Sequence, residues 1–123
     1  MTMADEATHL SQAAHNAAFL EAIDKERYPD WAVTVVFYVA LHYVDAFLAR
    51  KGRHEPATHE NRERLAKTFT ELRRVVPQYL RLKSASVRAR YHGEKPSAED
   101  VQRLIDSPLA ELRSRIEALL QQP

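Results

Sequence analysis

The 123-residue chain has no cysteine, so disulfides and thiolate metal sites are excluded. It has only two glycines. A backbone cradle for phosphate needs several, and neither a glycine-rich phosphate loop nor a GxSxG nucleophile elbow is present. No run of alternating apolar and polar residues is long enough for a convincing strand. The N-terminal stretch MTMADEATHL is acidic and has no apolar centre, so a secretory leader is not expected and cytoplasmic residence is the default. Internal repeats and low-complexity tracts are also missing.

What remains is rich in alanine, leucine, glutamate and arginine, with 45% hydrophobic and 28% charged residues. That balance predicts a globular, helical chain of one domain, long enough to bury a core without covalent staples. The net charge of +1 hides a strong asymmetry. Residues 1–49 carry −5, residues 50–96 carry +8 and residues 97–123 carry −2. A basic middle flanked by acidic ends suits a polyanion-binding face, and suits equally a set of solvated helix faces that attract one another.

The periodicity predicts a first helix from about Thr8, its N-cap, to Arg27, with Leu10, Ala13, Ala17 and Leu20 on one face. A second helix runs from about Asp30 to Lys51 and is apolar almost all round. His42 and Asp45 inside it argue against a lipid environment, so it is expected to be the central helix, stopped by Gly52. A third starts near Thr58, with Leu65, Phe69, Leu72 and Val76 as its stripe, and is expected to kink or break at Pro77. A further segment covers Gln78 to Tyr91, followed by a loop at residues 92–97. The last helix begins at about Ala98, where Ser97 and Asp100 resemble a capping box. It is expected to be interrupted at DSP (106–108), with Ser107 capping a new helix and Pro108 in its first turn. The seam Ile105, Leu109, Leu112, Ile116 and Leu119 completes an all-α, antiparallel bundle of four to five helices.

Several chemical readings compete. HEPATH (54–59) nearly spells a zinc-protease helix, but its histidines are five apart rather than four, and Pro56 opposes a helix across them. His9 and His15, six apart, do not pair on a helix either, so no metal site is expected from spacing, and a histidine site assembled through space is left without support in the sequence. On the second helix Tyr38, His42 and Asp45 share a face. On the segment after Pro77, Ser84, Arg88 and Tyr91 share one, with Ser86 and Arg90 in the neighbouring row. If these elements pack together, their polar groups either hold a phosphate or nucleotide or form an internal hydrogen-bond network that fixes helix register. Arg73, Arg74, Arg81, Lys83, Arg88 and Arg90 form a basic set with Tyr79 and Tyr91 close by, as backbone contact and base stacking require.

Three blocks in order, DWAVTVVFYVALHYVDAFLARKG, THENR and YLRLKSASVRARY, resemble small prokaryotic HEPN-domain proteins over about Phe19 to Tyr91. The resemblance implies a single HEPN-like helical domain over residues 1–123, often dimeric, with a role connected to RNA or nucleotides. It implies no cofactor, and as partners RNA, a nucleotide, a second copy or a nucleotidyltransferase-like antitoxin, without a membrane. Catalytic relatives are metal-independent RNases with an arginine, four to six residues, then a histidine. In such a pair, histidine handles a proton of the 2′-hydroxyl while arginine steadies the phosphate.

Arg53 and His59 fit that spacing. Thirteen arginines and six histidines would supply about two such pairs by accident, and this one precedes the third helix rather than lying late in the bundle. Arg88 and His92 lie late enough but have only three residues between them. The blocks instead single out His42, His59, Arg62, Arg90 and Tyr91 as residues expected to converge, with Arg88 beside them. The reading is a binding accessory protein without strong catalysis; the alternatives are an RNase toxin and a structural subunit.

Overall fold

The computed structural model describes residues 4–54 and 58–122. The described residues form helices and turns with no strand: α1 (Glu6–Ala22), α2 (Pro29–Arg50), α3 (His59–Lys67), a 3₁₀ turn (Thr70–Leu72), α4 (Val75–Tyr91), α5 (Ala98–Leu104) and α6 (Ala110–Leu120). A π-helical turn, Ile105–Leu109, joins α5 to α6 into one rod, so five helical rods are described.

Helix α2 is central because fifteen of its residues, from Ala32 to Ala49, are buried. Its length and mean hydropathy would allow it to cross a membrane, but 83% of the apolar stretch is buried inside the bundle. Phe37, Val36, Val44, Phe47 and Leu48 meet Leu20 of α1, Leu65 of α3, Leu82 of α4, Val101 of α5 and Leu112 and Ile116 of α6 in one core. Arg50 ties three chain ends together. It donates to Glu6 (2.6 Å) and to the carbonyls of Leu120 (2.6 Å) and Gln122 (3.0 Å). The start of α1 and the ends of α2 and α6 therefore share one end of the bundle. The C-terminal residues of α4 border Asp30, Trp31 and Thr34 at the other end, so α1 and α4 both run antiparallel to α2.

The terminators act as their chemistry requires. Gly52 (φ +77°) follows α2 in the left-handed conformation. Its N–H bonds Ala49, and the Arg53 N–H bonds Leu48 at 2.8 Å, closing a Schellman motif. Thr58 caps α3 through the Asn61 N–H. Ser97 and Asp100 form a full capping box, both bonds 3.0 Å. Removing the box with Ser97→Ala is expected to cost about 1 kcal/mol in a denaturant titration, with Ser97→Asp close to neutral.

Four boundaries differ from expectation. Asp5, not Thr8, caps α1: its carboxylate accepts from the Thr8 N–H at 2.8 Å. The same helix ends at Ala22, not Arg27, because the Asp24 side chain takes the N–H groups of Glu26 and Arg27 into a local turn. Pro77 neither kinks nor ends a helix. Helix α3 has already stopped at Lys67, and Pro77 sits in the first turn of α4, where the missing N–H costs nothing. DSP does not divide the last helix into two capped pieces. Ser107 caps nothing, and the π turn admits buried Pro108 by widening the ring that its side chain would otherwise clash with.

Candidate functional site

The polar centre of the bundle is an ion pair. Asp45 of α2 is buried, and Arg62 of α3 meets it with two parallel bonds, Nε to Oδ1 at 2.6 Å and Nη2 to Oδ2 at 3.0 Å. A fork-to-fork pair of this kind fixes the angle between the helices as well as their distance. Its hydrogen bonds to Asp45 hold the Arg62 guanidinium above its ordinary value against the opposing effect of burial. Tyr79 of α4 adjoins the same group. Burial pushes its phenol up to about 12, against the pull of Arg62, so it is a neutral hydroxyl. The two groups feel each other electrostatically, yet no hydrogen bond of ordinary geometry satisfies the buried Tyr79 oxygen. Among the described residues the buried Ser86 hydroxyl on the same helix is likewise without a partner.

Three histidines border this pair. His42, one turn before Asp45, lies with its Nδ1 3.1 Å from Nδ1 of His9 on α1. His59, one turn before Arg62, has its Nδ1 3.4 Å from the guanidinium and its ring against Phe37. Burial lowers all three below the ordinary imidazole value of 6.5. The nearby guanidinium of Arg62 adds to the effect, and at His59 so do Lys83 and Arg90. The folded state thus keeps neutral imidazoles that the unfolded chain protonates. Stability fully present above pH 6.5 is lost as the pH falls from there toward the lower folded-state values. In metal chelator, melting temperature is expected to drop between pH 7 and pH 5.5, before ordinary carboxylates titrate (about 4). A flat profile over that range would show that the histidines are solvated.

Arg62 lies beside two of the residues expected to converge: it reaches His59 directly and acts electrostatically on His42. Arg90 acts on His59 from α4. Among the described residues, no hydrogen bond or ring contact joins Arg90 or Tyr91 to His42. Arg90 is half-buried; its Nε donates to the Ser86 carbonyl at 3.4 Å and its guanidinium stands 5.0 Å from the Tyr91 ring. Arg90 and Tyr91, with Asp30, Trp31, Thr34 and Ala89, line a surface groove of about 290 Å³. Tyr91 is 72% exposed and Trp31 59% exposed, two large aromatics in water at one groove. Trp31 was not singled out by sequence: it heads an apolar helix and has the spacing of a core residue.

The remaining predicted residues lie elsewhere. Arg53 is half-buried just beyond the α2 stop, and its backbone belongs to that stop. Arg88 bonds Ser84 (2.6 Å) and pairs with Glu94 (3.1 Å) on the face that α4 turns toward α5. It borders a second groove there, with Arg81, Lys95, Arg103 and Asp100. His92 is exposed at the C-cap of α4. His9 faces His42, 33 residues on, where helical spacing carries no signal, while His15 on its own helix is exposed.

No curated protein and no solved structure matches the chain. The model of one family of helical domains nonetheless covers most of the chain. That family's model matches residues 7–108, and the chain belongs to the HEPN domain family.

Proposed function

We propose that the chain is a HEPN-type module that binds single-stranded RNA or a nucleotide and does not depend on strong catalysis of its own. The carrying observation is the groove of Trp31, Arg90 and Tyr91, where two exposed aromatic faces stand beside an arginine. Bases stack on exposed aromatics whatever their sequence, and a guanidinium beside them meets phosphate. The Asp30 carboxylate at the groove offers an acceptor to a sugar or base edge, while the buried Thr34 hydroxyl donates to the Asp30 carbonyl at 3.0 Å. Lys83 pairs with Glu63 and Arg88 with Glu94. The cation of the groove itself is Arg90.

The internal residues support the module rather than touch the ligand. Arg62 is buried with both arms of its fork on Asp45. His59 leans on Phe37 and Arg62 at the α3–α4 junction. Arg88 is engaged by Ser84 and Glu94, while His92 extends beyond the last turn of α4.

The test is incubation of purified protein with total RNA in metal chelator, read by gel and by filter retention at several salt concentrations. The expected result is intact RNA and retention that falls as salt rises, with retention strongly reduced in Arg90→Ala. Chelator-resistant cleavage abolished by His59→Ala or His92→Ala would favour the RNase reading. Absence of both retention and cleavage would leave the structural subunit.

A further inference from the structure

We propose that His9, His42 and Asp45 form a binding site for a borderline divalent transition-metal ion of the zinc class. Their candidate ligand atoms all lie within 4.8 Å of one another, contributed by two different helices. The distance between the two Nδ1 atoms, 3.1 Å, is the decisive geometry. An ion held about 2.0–2.1 Å from each nitrogen, as zinc is by imidazole, would see them about 95–102° apart. That is close to a tetrahedral or cis-octahedral angle for the two nitrogens, and the Asp45 carboxylate closes the site by moving toward the ion. The same distance also suits a hydrogen bond between the rings, and that is the competing explanation.

The donor set selects the ion. Two neutral nitrogens and one carboxylate oxygen are the ligands of zinc and its neighbours, whereas magnesium and calcium take oxygen. Cysteine is absent from the chain, so softer thiolate sites do not compete. Both imidazoles are partly exposed, which gives an ion and a water or a further ligand a route in from the α1 side, while Asp45 is buried beneath them. Arg62 does not exhaust Asp45. Each carboxylate oxygen accepts one bond from the guanidinium and keeps a second lone pair. In this arrangement Arg62 orients the ligating carboxylate, as the partners behind metal ligands commonly do.

The site shares no residue with the Trp31–Arg90–Tyr91 groove, so the outcome of an RNA titration leaves it untouched. It is tested by titrating zinc into the chelator-stripped full chain by calorimetry, with cobalt(II) as a spectroscopic substitute. The expected result is one ion per chain, visible cobalt d–d absorption, and at least tenfold weaker binding in His9→Ala. His15→Ala, at an exposed position on the same helix, should bind as the parent does. In the unaltered chain, nitrogen NMR of the imidazoles should show zinc moving the His9 and His42 resonances. No saturable one-to-one binding, parental affinity in His9→Ala, or imidazole shifts confined to His15, His54 or His92 would overturn the proposal.

Discussion

Arg62→Ala is expected to destabilise the bundle by about 3–5 kcal/mol, because it leaves the Asp45 carboxylate buried without its partner. Asp45 and Arg62 are both at least nine-tenths buried, so solvent does not replace the lost bonds. For a chain of this length the loss corresponds to a fall in melting temperature on the order of 10–20 °C. The comparison that separates the pair from its parts is a double-mutant cycle. Asp45→Ala combined with Arg62→Ala should cost clearly less than the two single changes added, since the double variant strands no charge. Arg62→Lys should recover only part of the stability, as an ammonium cannot reproduce the two parallel bonds. Strict additivity in the cycle would mean that water reaches the pair.

Phe37→Ala is expected to cost a similar amount, about 3–5 kcal/mol, for a different reason. Phe37 is fully buried, and its ring contacts Tyr38, His59 and Tyr79 at centroid distances of 5.3–5.6 Å. It is the apolar hinge on which α3 and α4 rest against α2. Helix α3 has only nine residues, too few to persist without its packed face. Amide exchange in α3 should therefore accelerate in this variant before exchange in α2 does. Phe37→Leu should retain most of the stability. Uniform acceleration across the bundle would show that α3 does not open on its own.

What could be read from the sequence follows from the range of each signal. The all-round apolar run of α2 marks the centre of the bundle wherever the other helices lie, and Gly52, Thr58 and Ser97 act through neighbours one to five residues away. Pro77 and Pro108 depart from expectation because a proline's effect depends on its position in a helix, which the preceding chain decides. Pro77 becomes harmless once α3 ends at Lys67, and Pro108 once a π turn makes room. The reach of Asp24 into its own turn shortened α1 against an unbroken apolar pattern.

The site was legible to the same extent. Tyr38, His42 and Asp45 were placed on one face by spacing, and the THENR block brought His59 and Arg62 to that face. The pairing of Asp45 with Arg62 and of His42 with His9 depends on which helices touch, and no single-helix periodicity encodes that. Arg90 and Tyr91 are expected to join His42, His59 and Arg62. Arg90 acts on His59, and its guanidinium also stands 5.0 Å from the ring of exposed Tyr91, beside Trp31 at the start of α2.

Trp31 is the only tryptophan in the chain, so its emission reports on that groove alone. The most direct test is a fluorescence titration with a short single-stranded oligoribonucleotide at low and high salt. Binding in the groove predicts saturable quenching that weakens with salt. It also predicts a roughly 5- to 150-fold affinity loss in Tyr91→Ala, the range of one base–aromatic stack. Unchanged Trp31 emission on saturation with RNA, or parental affinity in Tyr91→Ala and Arg90→Ala, would contradict it.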